Sequence, residues 1–329
     1  MVIVHARFSS YGDTFITMFH MPLFFFFSGY CFKEKYLKDV REFSIKRIKG
    51  IYTPYVKWGL FFLAFHNLFY YLNLYNSVYG YHGNVSYEYE TKDFLIHAIR
   101  IMTSLSSHEQ LLGGYWFLHT LFFASFIFYA TLKYFKPVLG GGILLILCIV
   151  SLIYGVKIPY FSIGARELLA AFFMIAGYFY KKSNLKYEDT YYVIPMSLFL
   201  LIIGSLFWPC GMLSLSWQKV IPYSVTALFG IIMVFSISKL IIHTHFFNSF
   251  FVYIGERTLE ILTWHMLSFK VISLLIIWYY SLRIEKLAEF PVITEYAISG
   301  YWLLYFIAGL CLPLLTISII DTLKIRLLK

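Results

Sequence analysis

A small set of polar side chains interrupts the long apolar segments of this chain, and their types suggest acid–base chemistry. They are His5, His20, His66, His119, Arg166, Glu167, Glu260, His265 and Lys270. Polar groups inside a bilayer are costly, so each is a functional candidate by default. A neutral imidazole can take a proton from a hydroxyl near pH 7. The alternative for any single histidine is a plain hydrogen bond between helices.

The most specific local sequence is FHMPLFFFFSGY, which runs from Phe19 to Tyr30. Pro22 follows His20 closely, and a proline one turn into a helix breaks the backbone hydrogen bonds and exposes carbonyls. Ser28 and Gly29 allow a neighbouring helix to approach closely. The segment therefore predicts a broken helix in which carbonyl groups lie beside an imidazole.

The elements that hold these residues are predicted to be membrane helices. Of the 329 residues, 60% are hydrophobic and 13% are charged, whereas soluble domains are about 45–50% apolar and about 25% charged. This composition argues against a water-soluble enzyme, a disordered chain and a nucleic-acid binder. The predicted fold class is an all-α integral membrane protein, a polytopic bundle of about ten transmembrane helices in a lipid bilayer.

Apolar segments long enough to span a bilayer occur nine times in one continuous membrane domain over residues 1–329. They lie at roughly 14–32, 54–74, 115–133, 137–156, 165–180, 191–208, 220–242, 258–281 and 298–320. Residues 1–5 are expected to be the last turn of a further helix that is largely missing from this chain.

The distribution of lysine and arginine predicts the orientation. With residues 33–53 placed in the cytoplasm, 18 of the 27 Lys and Arg residues fall inside and 8 outside. Cytoplasmic loops are enriched in these residues, so the asymmetry supports the alternation and accounts for the net charge of +10. His5 then lies near the outer end of the first helix, and the C-terminus is cytoplasmic.

Two further stretches have helical character but are too polar to span. Lys33 to Ile51 places apolar residues near helical spacing among seven basic residues, which is typical of an interfacial helix. The alternative is a basic cytoplasmic loop. Tyr75 to Ser107 is rich in polar residues on the predicted outer side, where it either caps a site or is inert. His243 and His245 are expected in a short cytoplasmic connection.

Several motifs in order resemble the acyltransferase-3 family of membrane O-acyltransferases that modify sugars. They are VIVH ending at His5, FHMPLFFFFSGY, IKRIKGIYTPY (Ile45 to Tyr55), WFLHTLF (Trp116 to Phe122) and GERTLEILTWH (Gly255 to His265). The resemblance covers nearly the whole chain, and it looks closest to the fucose 4-O-acetylase-like branch. It implies transfer of an acyl group, usually acetyl, from cytoplasmic acyl-CoA to a hydroxyl of a cell-surface or lipid-linked glycan.

The resemblance also implies roles for particular residues. His5 is the expected general base or transient acyl acceptor, and His20 is its partner or orienting group. Acyl-CoA, the co-substrate, is multiply anionic, so Lys46, Arg47 and Lys49 are expected to hold its phosphates. The alternative is that these three residues only set the topology. No tightly bound cofactor is expected.

Other polar residues have supporting or acceptor-binding interpretations. Trp116 is suited to stacking on a sugar ring or to an aromatic belt at the interface. Arg166 and Glu167 either contact polar substrate or pair at a helix end. Glu260 is expected to face the bundle interior, beside Thr263 or a residue of another span. His119 and His265 complete the set, and no metal-ligand spacing joins these residues.

One departure from the family pattern keeps alternatives open. The family carries an arginine about ten residues before the histidine of its first helix, whereas this chain begins too late to contain one. We expect an N-terminally truncated chain, and the alternative is an inactive family member. A glycan transporter or flippase is a further alternative, although matching broken helices in two halves are not evident. The implied location is the bacterial inner membrane.

The predicted orientation can be tested by cysteine-accessibility labelling of single-cysteine variants. We expect cysteines at the Lys38 and Lys182 positions to react only from the cytoplasmic side, and one at the Asn84 position only from outside. The reason is the bias of lysine and arginine toward cytoplasmic loops. A reversed position would show that a span before it has been miscounted.

Overall fold

The computed structural model describes residues 1–81, 85–183 and 192–327. Its regular structure is helical, and within these residues the β-structure is one isolated bridge between Ile158 and Ile163. The first half of the chain forms α1 (Val2–His5), α2 (Ser10–Thr17), α3 (His20–Tyr30), α4 (Lys35–Lys38), α5 (Val40–Arg47), α6 (Thr53–Ala64), α7 (His66–Tyr71), α8 (Thr91–Ser104), α9 (Trp116–Tyr134) and α10 (Pro137–Tyr154).

The second half continues the helical pattern with few long loops. It forms α11 (Ala165–Lys182), α12 (Val193–Phe207), α13 (Val220–Ile241), α14 (His245–Glu256), α15 (Thr258–Tyr280), α16 (Thr294–Tyr296) and α17 (Trp302–Leu327). Short 3₁₀ turns are Gln110–Tyr115, Trp217–Lys219 and Ile284–Ala288, and π turns are Ile48–Tyr52 and Ala297–Tyr301.

Five helical segments are long and apolar enough to cross a membrane. They are Gln110–Tyr134, Pro137–Tyr154, Trp217–Ile241, Thr258–Tyr280 and Thr294–Ile319. Each coincides with a predicted span, and together they make the chain an all-α polytopic membrane protein. A helix rises about 1.5 Å per residue, so segments of this length match the hydrocarbon thickness.

The other four predicted spans coincide with helices that are divided, shorter or charged at their ends. Residues 14–32 and 54–74 are each divided between two helices, α2 with α3 and α6 with α7. Helix α11 carries two charged residues at each end, and α12 has 15 residues. Residue 191, the first of one predicted span, and Asn84 lie outside the described residues.

The chain folds into two compact units that are each built from separate stretches of sequence. The first unit contains Met1–Asp13, Tyr55–Trp116 and Phe250–Lys329. The second unit contains Thr14–Pro54 and Phe117–Ser249. Residues far apart in sequence are therefore brought together within each unit.

Helices α15 and α17 pack together in the first unit. Gly309 of α17 lies directly against the ring of Phe269. The hydroxyls of Ser273 and Tyr305 are 3.0 Å apart and form a hydrogen bond between the helices. The ammonium of Lys270, which is buried, donates to the backbone oxygen of Glu289 at 2.7 Å. These three side chains are thus satisfied by partners within the protein, as a membrane interior requires.

Helices α3 and α11 make a close backbone contact in the second unit. A side chain at Gly29 would overlap the backbone of Met174, and one at Gly177 would overlap the backbone of Phe26. Small residues at such crossings permit van der Waals contact between helix backbones. The predicted role of Gly29 in close helix approach is therefore confirmed.

The polar stretches are also helical. Lys33 to Ile51 contains α4, α5 and the start of a π turn, and the Asp39 carboxylate caps α5 by accepting from the Glu42 backbone N–H at 2.9 Å. Tyr75 to Ser107 contains the 14-residue helix α8. The expectation of a short connection around His245 is wrong, because this residue begins α14, which has 12 residues.

Candidate active site

Two histidines meet in the first unit, one at the end of α1 and one within α15. Nδ1 of His5 lies 2.9 Å from Nε2 of His265, which is hydrogen-bond distance. The rings are nearly parallel, with an interplanar angle of 11° and centroids 5.2 Å apart. His265 is completely buried at 0% exposure, whereas His5 is half-buried. The sequence placed both in the site, but their direct contact joins positions 260 residues apart.

Backbone carbonyls determine which nitrogen of His265 carries hydrogen. Its Nδ1 lies 2.8 Å from the oxygen of Ile261 and 3.0 Å from that of Leu262. A carbonyl oxygen only accepts hydrogen bonds, so Nδ1 is the donor in the neutral ring. The lone pair of His265 therefore lies on Nε2, the nitrogen that faces His5.

The tautomer of His265 in turn determines that of His5. Since Nε2 of His265 accepts, Nδ1 of His5 must donate the hydrogen bond between the rings. Neutral imidazole carries one N–H, so Nε2 of His5 is the unprotonated nitrogen. The pair is thus ordered as a proton acceptor followed by an orienting partner, the arrangement on which histidine bases depend.

His20 belongs to the second unit, where it is the first residue of α3. Its Nδ1 lies 3.0 Å from the backbone oxygen of Ile16, in the last turn of α2. Carbonyls of a last helical turn lack partners within the helix, so a side chain can bind them. The prediction that Pro22 breaks the helix is wrong, because the break precedes His20 and α3 is continuous through Pro22. The Ile16 oxygen that the ring contacts also accepts from the Phe19 backbone N–H at 3.2 Å. Pro22 lies in the first turn of α3, where a missing N–H costs nothing.

Two of the three predicted donor-binding residues line one pocket of the second unit. The pocket has a volume of about 250 Å³ and is lined by Ser28, Cys31, Phe32, Tyr36, Phe43, Lys46 and Arg47. Lys49 is exposed and lies in the π turn after α5, and it does not line the pocket. The pocket combines cations with aromatic rings.

Both pocket cations contact aromatic residues, and Nζ of Lys46 also lies 3.5 Å from the Glu42 carboxylate. Nζ of Lys46 donates to the hydroxyl of Tyr36 at 2.8 Å, and this bond raises the pKa of Lys46. The guanidinium carbon of Arg47 lies 5.2 Å from the centre of the Phe43 ring. Burial lowers the pKa of Arg47, but a guanidinium remains protonated at neutral pH. The pocket therefore keeps two positive charges.

Glu167 is the centre of a buried network in the second unit. Its side chain is 1% exposed, and it accepts from the Thr120 hydroxyl and from Nε of Arg166, each at 2.9 Å. Its other oxygen accepts from the Gly164 backbone N–H at 2.9 Å. Nδ1 of His119 lies 3.6 Å from the carboxylate, and Nε2 lies 2.8 Å from the Phe161 oxygen. The predicted residues His119, Arg166 and Glu167 are thus brought together.

The remaining predicted residues lie in the first unit without forming a common cluster. Glu260 is half-buried in α15, five residues before His265. The hydroxyl of Thr263 lies 2.7 Å from that of Tyr115. Trp116 begins α9. Among the described residues, no group of three or more His, Cys, Asp or Glu side chains is arranged to hold a metal ion.

A buried ion pair between His66 and Glu109 was not predicted from the sequence. Nδ1 of His66 lies 3.1 Å from the Glu109 carboxylate, and Nε2 lies 3.1 Å from the backbone oxygen of Tyr87. Both ring nitrogens therefore have hydrogen-bond partners within the protein. It stacks on Tyr89 with centroids 3.4 Å apart, and Tyr89 stacks on His97. The partners are 43 residues apart, so no local spacing indicates the pair.

The fold is that of a polytopic membrane protein whose units contain paired polar side chains. The chain belongs to the acyltransferase-3 family, since the acyltransferase-domain model of that family matches residues 1–319. It is therefore a membrane acyltransferase by family. Comparison with curated proteins and with solved structures finds no match.

The buried pair predicts a strong effect of His66 on stability. We expect His66→Ala to lower the free energy of unfolding by about 3–5 kcal/mol, because Glu109 would remain buried without its counter-charge. Unfolding of the purified protein in detergent micelles measures the change. His243→Ala, at an exposed histidine, is the matched control and should have little effect. Equal stability of the two variants would show that the pair does not stabilise the unit.

Proposed function

We propose that the protein transfers an acyl group, acetyl in the simplest case, from cytoplasmic acyl-CoA to a hydroxyl of a cell-surface or lipid-linked glycan. It would do so in the bacterial inner membrane with its C-terminus in the cytoplasm. The observation that carries this proposal is the ordered histidine pair, in which Nε2 of His5 is the proton acceptor. A sugar hydroxyl is a weak nucleophile at neutral pH and needs such a base.

The proposed reaction uses His5 first as base and then as acid. Nε2 of His5 takes the hydroxyl proton while the hydroxyl oxygen attacks the carbonyl carbon of the thioester. The carbon–sulfur bond then breaks, and the imidazolium returns the proton to the departing thiolate. The products are the glycan ester and free CoA, so the enzyme ends in its starting protonation state.

His265 acts in this proposal as a positioning residue. Its Nε2 accepts from Nδ1 of His5 throughout the cycle and favours the imidazolium that forms transiently. The carbonyls of Ile261 and Leu262 disfavour the opposite tautomer of His265, because its Nδ1 lone pair would then face two carbonyl oxygens. The positioning therefore depends on the helix backbone of α15.

The basic pocket of the second unit supports recognition of the donor. Acyl-CoA carries several phosphate charges and an aromatic base, and the pocket offers Lys46, Arg47 and aromatic side chains. Arginine forms bidentate hydrogen bonds with phosphate, and lysine supplies a compact charge. His5 and this pocket belong to different units, and each supports its own part of the proposal.

The central prediction concerns His5. In membrane-reconstituted protein, we expect His5→Ala to lower the turnover number about 10²–10⁴-fold, the usual effect of losing a general base. His265→Gln should lower turnover by a smaller factor with little change in the Michaelis constants, because the base remains but is misoriented. The measurement is the rate of glycan acetylation, detected by mass spectrometry.

The control for this prediction is His243→Ala, which removes an exposed imidazole and should leave turnover unchanged. All variants are compared at equal amounts of folded protein. If His5→Ala retained more than about a tenth of the wild-type activity, the loss of rate would be too small for removal of a general base. The base would then have to be sought elsewhere, and His20→Ala is the next variant to measure.

The donor pocket gives a separate prediction. Changing Lys46 and Arg47 together to Gln should raise the Michaelis constant for acyl-CoA about tenfold or more with little change in turnover, because phosphate contacts are equal in ground and transition states. Lys136→Gln, at an exposed residue on the same predicted side of the membrane, is the control. An unchanged Michaelis constant in the double variant would assign both residues to topology alone.

A further inference from the structure

A cavity with charged and apolar residues in its wall lies in the second unit where α10 ends and α11 begins. Its volume is about 430 Å³, and its polar lining includes Ser151, Lys157, Ser162, Arg166 and Glu167. Neither the proposed proton transfer nor the proposed donor pocket uses these residues. A cavity of this size admits one sugar residue or a group of similar bulk.

The carboxylate of Glu167, in the cavity wall, forms its hydrogen bonds with protein groups. Both oxygens of Glu167 accept hydrogen bonds from protein donors, and its side chain is 1% exposed. A carboxylate satisfied in this way does not attract a further ligand. Its effect is to hold Arg166 through Nε at 2.9 Å, and the side chain of Arg166 is 25% exposed.

The charges of the cavity do not cancel. Among its described lining residues, Lys157 and Arg166 are positive and Glu167 is negative, which leaves one positive charge. Nε is one of five N–H donors of a guanidinium, whose planar fork matches carboxylate and phosphate oxygens. The net charge and the donor geometry both suit a singly charged anion.

The membrane orientation gives independent support. Lys157 and Arg166 are two of only eight Lys and Arg residues on the predicted outer side. The preference of lysine and arginine for cytoplasmic loops explains the cations on the predicted inner side of the membrane. It does not explain cations on the predicted outer side. Two of these eight cations line one cavity, so topology alone does not account for their position.

We propose that this cavity binds a singly charged anionic group of the glycan acceptor, either the carboxylate of an acidic sugar or a phosphodiester. This inference rests on the proposed function for the identity of the acceptor, but anion binding itself does not require acyl transfer. Arg166 is the principal contact and Lys157 adds charge at the cavity mouth. Glu167, Thr120 and Gly164 hold Arg166 in position.

The experiment measures direct binding of three oligosaccharides to the full chain in lipid nanodiscs. They are matched in length and carry a uronic acid, a phosphodiester or only neutral sugars. We expect the wild-type protein to bind at least one anionic ligand about tenfold or more tightly than the neutral one, the effect of one charge-assisted hydrogen bond. Whichever of the two anionic ligands binds more tightly indicates whether the cavity prefers a carboxylate or a phosphodiester.

Three variants connect the selectivity to the cavity. Arg166→Gln and Lys157→Gln should each reduce binding of the anionic ligand toward that of the neutral one. Lys219→Gln removes another predicted outer cation, which donates to the Pro209 oxygen, and should retain full selectivity. Within the described part of the chain, the hydrogen bonds to Glu167 come from Thr120, Gly164 and Arg166 and not from Lys157. The Lys157 variant therefore tests the cavity without disturbing the buried network.

Two results would overturn the inference. One is equal affinity of the wild-type protein for anionic and neutral oligosaccharides, and the other is undiminished selectivity in both cavity variants. Acyl transfer to the same oligosaccharides is measured in parallel. Anion selectivity without any acyl transfer would refute the proposed reaction but support the anion site. Acyl transfer without anion selectivity would support the proposed reaction but refute the anion site.

Discussion

A buried imidazole between membrane helices must find its hydrogen-bond partners within the protein, and the tautomers in the first unit depend on this constraint. Nδ1 of His265 is committed to carbonyl oxygens of its own helix. That commitment places the lone pair on the opposite nitrogen and directs the N–H of His5 toward it. The acid–base order of the pair is therefore set by backbone geometry rather than by a carboxylate.

The same constraint separates structural polar groups from those suited to chemistry. Glu167 and His66 have protein partners at both of their polar atoms, so their role is to fix neighbouring elements. His5 differs because its partner defines which nitrogen is basic. Complete pairing by protein groups thus suits a structural role, and the pair of His5 and His265 is the one that the proposed reaction uses.

Helix ends and helix breaks supply the positions at which these side chains lie. His5 ends α1 and His20 begins α3, directly after a break at which the Ile16 oxygen accepts from the His20 ring and from the Phe19 N–H. Arg166 and Glu167 lie in the first turn of α11. Helix termini expose backbone groups that the helix itself cannot satisfy, so they accommodate polar side chains at membrane depth.

The sequence by itself determined the fold class, the approximate helices and the family, because hydrophobic segment length and ordered local motifs such as FHMPLFFFFSGY are properties of neighbouring residues. It also indicated His5, His265, Lys46 and Arg47 as candidates. Only the tertiary structure decided that His5 contacts His265, that Lys49 lies outside the pocket lined by Lys46 and Arg47, and that His66 pairs with Glu109. Such contacts join residues distant in sequence, and the packing of helices within a unit, not local spacing, determines which side chains meet.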